Sequence, residues 1–169
     1  MPETPKTFAV WLTGLPASGK SRVAAALAEL LRQRGVNVAV LESDVLRKSF
    51  SEQPGYDEHE RQHFYGSMAF IGKVLVDSGI SVIFDATANR RAYRDRARAQ
   101  IPAFYEIYVD TPLEVCRQRD PKGIYRSGSP HVPGLGAAYE PPEHPDLVIH
   151  GDREKPEDGA ERILALLTL

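Results

Sequence analysis

The chain has 169 residues, 42% of them hydrophobic and 26% charged, with a formal net charge of −2. That length suits one domain spanning 1–169 around a real core, and so small a charge gives no global field to gather nucleic acid or an anionic membrane. One cysteine, Cys116, excludes an internal disulfide, the start of the chain lacks an apolar stretch of leader length, and no run nears the roughly 18–20 apolar residues of a membrane span. The expected setting is the cytoplasm and the expected partner a small molecule. A homodimer is left open.

An apolar run at 7–13 reads as the first strand, and an Ala/Leu-rich run at 21–34 as the first helix, closed by Gly35. Between them stands Gly14-Leu15-Pro16-Ala17-Ser18-Gly19-Lys20-Ser21, which reads G-x-x-x-x-G-K-S. In that strand-to-helix context the pattern spells a phosphate-binding loop. Gly14 and Gly19 allow backbone angles that let successive N–H groups turn inward at the positive end of the helix. Lys20 is then placed for the β- and γ-phosphates of ATP, and the Ser21 hydroxyl for Mg²⁺.

Residues 36–41 read as a second strand buried on both faces, delivering Glu42-Ser43-Asp44 to the sheet edge where ligands bind. Ser43 or Asp44 is placed to cap a short helix ending near Phe50. A long helix at 57–78 carries an apolar stripe through Phe64, Met68, Ile71 and Leu75 and stops at Gly79. The third strand, 80–84, runs into Asp85; a basic helix follows at 90–100, a strand at 103–109 and a helix at 112–119. The segment 120–144 is rich in Pro and Gly, has neither period, and reads as a lid over a nucleotide. A last strand at 147–149 and a helix at 156–167 complete the chain. Alternation of strands and helices predicts an α/β protein: a three-layer α/β/α fold of P-loop NTPase type with a parallel sheet of about five strands.

Phosphoryl transfer needs a donor clamp, a metal, a group to orient the acceptor hydroxyl, and cations. Asp44 is the candidate for the hydroxyl, with Arg47 one helical turn on for an anionic part of the acceptor; capping alone is the competing role of Asp44. Val82-Ile83-Phe84-Asp85 has the form of a strand ending in a metal-associated carboxylate. Arg91 and Arg94 stand in the first turns of the basic helix, within reach of a substrate phosphate or sulfate, whereas Arg96 and Arg98 read as solvated. Arg119, Lys122 and Arg126 open the lid. His59-Glu60-Arg61-Gln62-His63 matches H-E-x-x-H, but it reads as chance spacing on an exposed first turn, since the sheet edge is already committed to the phosphate loop.

From 10 to about 147 the chain resembles adenylyl-sulfate kinases, which use ATP to phosphorylate the 3′-hydroxyl of adenosine 5′-phosphosulfate (APS). The resemblance is carried by Trp11-Leu12-Thr13-Gly14-Leu15, by Val109-Asp110-Thr111-Pro112-Leu113-Glu114-Val115-Cys116, by Arg119-Asp120-Pro121-Lys122-Gly123-Ile124-Tyr125, and by Tyr139-Glu140-Pro141-Pro142. It implies that Asp44 is the acceptor-side carboxylate, that Arg47 and Arg61 bind APS, and that Arg119 packs on the adenine of ATP. Lys122, from its place at the start of the lid, is a further candidate substrate contact.

The acceptor half departs from the family pattern. Glu42-Ser43-Asp44-Val45 stands for Asp-Gly-Asp-Asn, Phe64, Gly66 and Ser67 for an Asn and two Arg, Thr87-Ala88-Asn89 for Ile-Ser-Pro, and Val132 for a lid Phe. Asp85-Ala86-Thr87 and the Asp44/Arg47 pair are also similar to features of polynucleotide 5′-hydroxyl kinases and other small hydroxyl kinases. A nucleotide-binding protein without transferase activity is the alternative of a different class.

Overall fold

The structure, a computed structural model, describes residues 6–167 and 169; positions 1–5, over which no leader is expected, lie outside it. Strand β1, Ala9–Thr13, is buried along its whole length. Such a strand must be covered on both faces, and its alternation sends Val10 and Leu12 to one side and Ala9 and Trp11 to the other.

The remaining elements follow in the expected alternation. Helix α1 is Lys20–Gln33, β2 Val38–Glu42, α2 Ser43–Phe50, α3 Glu58–Asp77, β3 Ser81–Asp85, α4 Arg91–Gln100, β4 Phe104–Asp110, α5 Leu113–Arg119, β5 Leu147–His150 and α6 Pro156–Leu166. The sheet is parallel throughout, in the order β2-β3-β1-β4-β5. Helices α1 and α6 close one core around Leu27, Leu31, Ile107 and Ile163, and α3 and α4 close the other around Trp11, Phe84, Met68 and Ala97. This is the three-layer arrangement the alternation predicts.

Three local expectations change. Strand β2 is the sheet edge, only partly covered, with Val40 exposed; its apolar run belongs to a strand paired on one side only. Helix α2 has Glu42 as its N-cap and no side-chain cap bond, so neither Ser43 nor Asp44 serves as cap. On α3 the buried line runs through Phe64, Tyr65, Met68, Ala69, Gly72 and Val76, leaving Ile71 and Leu75 at its margin. Gly72 permits this line to sit close, because a Cβ there would stand 2.2 Å from the ring of Phe84.

Central β1 ends at Thr13, and the 14–21 loop springs from its C-terminal edge, flanked by β3 ending in Asp85 and β4 ending in Asp110. That edge is where open α/β sheets hold their ligands.

Candidate active site

The loop after β1 is shaped by close approach. A Cβ on Gly14 would lie 2.4 Å from the Val109 carbonyl oxygen, so only glycine lets the loop pass over β4. Gly19, with φ +107, turns the chain into α1. The loop is fastened from behind by the Thr111 hydroxyl, which donates to the Ser18 carbonyl at 2.8 Å. Lys20 is buried, and its Nζ donates to the carbonyls of Gly14 at 3.0 Å and Leu15 at 2.8 Å. Burial lowers its pKa against the opposing pull of Asp85.

Ser21 and Asp85 meet directly. The Ser21 hydroxyl donates to Asp85 Oδ2 at 2.6 Å, which joins the first turn of α1 to the end of β3. Burial raises the Asp85 pKa, with Lys20 and the Ser21 hydrogen bond working the other way. A hydroxyl and a carboxylate side by side at the phosphate loop form a hard-oxygen pair suited to Mg²⁺.

A cleft of about 900 Å³ gathers the loop residues Pro16, Ala17, Ser18, Gly19, Lys20 and Ser21 with Asp44, Asp85, Arg119 and Lys122. Arg119 Nη2 donates to the Gly151 carbonyl at 2.7 Å, and Nη1 stands over Gly19. On the opposite wall, Lys122 Nζ lies 2.6 Å from Asp44 Oδ2 and 3.5 Å from Glu42 Oε1. The segment 120–144 is built of turns packed on the loop. Tyr125 donates its phenol to the Pro16 carbonyl at 2.7 Å, and Tyr125, Val132 and Cys116 share a small apolar core with Leu15 and Ala17. Asp120 holds the first turn by accepting from the backbone N–H groups of Tyr125 and Arg126.

Arg47, Arg61, Arg91 and Arg94 do not line that cleft. Arg47 is buried, ion-paired with Glu60, and caged by aromatic rings, Phe64 at 4.1 Å and Tyr56 at 4.9 Å. Burial works to lower its pKa, but Tyr65 and Glu60 outweigh it and the net direction is up. Arg61, also buried, donates to the His131 carbonyl of the lid. Arg91 lies half-exposed, bound to the Pro141 carbonyl at 2.7 Å and to Glu143.

Arg94 corrects the sequence expectation of a substrate contact. Its side chain is wholly buried, spanning Thr13 Oγ1 at 2.8 Å, the Glu140 carbonyl at 2.6 Å and Glu106 at 3.2 Å. It braces the end of β1 against the end of the lid. The rest of the basic helix is similarly spent on the protein: Arg90 on Glu58, Arg96 on the Gln62 carbonyl, Arg98 on Glu106. In the H-E-x-x-H stretch, His59 and His63 are exposed while Glu60 serves Arg47.

Sequence reasoning passed over Thr13, Glu42 and Tyr125 as site residues. Glu42 stood beside Asp44 at a strand end, and Tyr125 lay inside the 119–125 motif; both signals were present but carried no geometry. No helix among the described residues is long and apolar enough to cross a membrane.

A Walker-type loop on the central strand of a parallel sheet, with a serine–aspartate pair beside it and the 120–144 segment packed on it, defines the class of P-loop phosphotransferases. The family described as adenylylsulphate kinase matches residues 6–150. The chain is 38% identical to the adenylyl-sulfate kinase of Synechococcus sp. strain JA-3-3Ab, over 82% of this chain and 81% of that one. It is likewise 38% identical to the probable adenylyl-sulfate kinase of Bacillus subtilis strain 168, over 96% and 84%. Its fold matches the Mycobacterium tuberculosis APS kinase solved with AMPPNP and APS, with a TM-score of 0.90 and 33% identity over 98% and 99% of the two chains. This chain belongs to the adenylylsulphate kinase family.

Proposed function

We propose that the protein transfers the γ-phosphoryl group of ATP to the 3′-hydroxyl of APS. The observation that carries the reading is that Asp44 faces Lys20, Ser21 and Asp85 across one cleft in a member of this family. The M. tuberculosis relative bound to AMPPNP and APS supports both the donor and the acceptor.

In this reading the loop amides of 14–21 and Lys20 grip the donor phosphates, and Arg119 covers the base. Ser21 and Asp85 hold Mg²⁺, which neutralises phosphate charge. Asp44 orients the acceptor hydroxyl and takes its proton as the oxygen bonds to the γ-phosphorus and the bond to the bridging β–γ oxygen breaks, releasing ADP. Arg47, Arg61, Arg91 and Lys122 serve the anionic acceptor, from positions where each already has a protein partner to exchange. We place the protein in the cytoplasm, and we propose a homodimer, supported by exposed Phe70 and Val74 on α3; sedimentation at micromolar concentration tests it.

The test of the reaction is ADP release from Mg·ATP with APS, with nucleosides and with a 5′-hydroxyl oligonucleotide. Release that requires APS and disappears in Asp44→Asn is the expected result. Release with another acceptor would assign the changed residues Phe64 and Gly66 to a changed substrate, and binding of ATP without any release would leave a nucleotide-binding protein.

A further inference from the structure

Lys122 bridges two carboxylates of unequal standing. Asp44 Oδ2, at 2.6 Å, belongs to the group that must meet the acceptor hydroxyl; Glu42 Oε1, at 3.5 Å, belongs to none of the roles above. The three residues close the cleft from opposite walls: Lys122 comes from the lid just after α5, while Glu42 and Asp44 come from the end of β2 and the start of α2. An ammonium resting on Asp44 Oδ2 competes with an acceptor hydroxyl for that oxygen and offsets the charge that makes the carboxylate a base. For Asp44 to work, Lys122 must leave it while staying beside the entering anionic acceptor, and Glu42 is the second carboxylate within its reach.

We propose that Glu42 is a positioning residue that takes Lys122 off Asp44 when the acceptor enters. Glu42 ends the edge strand directly opposite Asp85 of β3, so its backbone is fixed by the sheet while the flexible lysine stem makes the transfer. The move between the two oxygens needs only rotation of that stem, because both carboxylates already lie within ion-pair distance. The charge count in the cleft is unchanged, and the lid remains tied across it. Burial of Lys122 disfavours its charged form, but Asp44 and Glu42 together outweigh this and the net direction is up. The assignment rests on the kinase reading only for the identity of the acceptor.

The experiment is a double-variant cycle with two readouts. In Mg·ATP and APS turnover, Glu42→Gln is expected to lower kcat about fivefold with the KM for ATP unchanged, the size of one half-exposed ion pair. Glu42→Asp is expected to restore most of the rate, and Glu42→Gln is expected to add no loss in a Lys122→Met background. An equal loss with Lys122 present or removed, or no loss at all, would overturn the proposal. Nuclear magnetic resonance of the Lys122 side-chain ammonium in ligand-free protein separates this from the choice of acceptor: Asp44→Asn alone should leave the ammonium restrained on Glu42, and Asp44→Asn with Glu42→Gln should free it. Equal mobility in both variants would overturn the pairing whatever the acceptor is, whereas the expected pattern without APS turnover would refute only the acceptor.

Discussion

The Arg94 guanidinium lies 3.2 Å from the Glu106 carboxylate, with the arginine side chain wholly shielded from solvent and the glutamate nearly so. Burial raises the Glu106 pKa even with Arg94 and Arg98 pulling it down. The pair sits where β1, α4, β4 and the end of the lid converge, so its loss reaches the phosphate loop through Thr13.

Removing one partner strands a buried charge. Arg94→Ala is expected to cost about 3–5 kcal/mol of stability, read as a lowered midpoint in denaturant unfolding. Arg94→Met with Glu106→Leu should lose less than the sum of the single changes, since neither charge then remains unpaired. Additive losses would contradict the pairing.

Asp85 carries a pH signature. Its folded pKa is raised, chiefly by burial, above the ordinary 3.8, so the folded state binds this proton more tightly than the unfolded one. Its contribution is fully present below pH 3.8 and is lost as pH rises through the folded value. Asp85→Asn is therefore expected to raise the melting temperature of ligand-free protein at pH 7 and leave it unchanged in acid. The same variant should weaken Mg·ATP binding, measured by calorimetric titration, by about tenfold or more. A lowered melting temperature at pH 7 would refute the sign.

Lys20→Ala and Asp44→Asn are each expected to reduce kcat by about 100-fold or more, equivalent to roughly 2.7 kcal/mol of barrier. Circular dichroism should remain native in both. Asp44→Asn should keep ATP affinity, because Asp44 stands on the wall opposite the loop, and Lys20→Ala should lose it.

Gly72→Ala tests the packing of α3 on the sheet. The added carbon would meet the Phe84 ring at 2.2 Å, and that ring is stacked on Trp11 with centroids 4.5 Å apart. Overpacking of about 1–3 kcal/mol outweighs the helix-propensity gain of up to about 1 kcal/mol. A net loss of stability by thermal melting is the expected result, larger than that of Gly35→Asn, which meets no neighbour and carries only the strain of φ +74.

Much of this was legible in the chain. The loop motif fixed the identity of β1 and α1, and Gly35 and Gly79, at φ +74 and +87, marked helix ends where the sequence put them. Strand order was not legible, because an apolar run reports burial and says nothing about neighbours; β2 therefore read as buried on both faces when it is a partly covered edge. The arginines of α4 read as a substrate-facing or solvated set, since a charge pattern on one helix does not reveal the carboxylates waiting on β4, α3 and the lid. The lid's grip on Pro16 depended on a contact between residues 109 positions apart, beyond the reach of any local pattern.

The edge position of β2 separates two evolutionary fates. Lys20 and Ser21 hang from the strand at the centre of the sheet, where any shift is resisted from both sides, whereas Asp44 and Glu42 hang from the strand with one free flank. A change at such a margin disturbs the pairing of one neighbour rather than two. A lineage can therefore retune what receives the phosphoryl group by remodelling the periphery, while the apparatus that spends ATP is inherited whole.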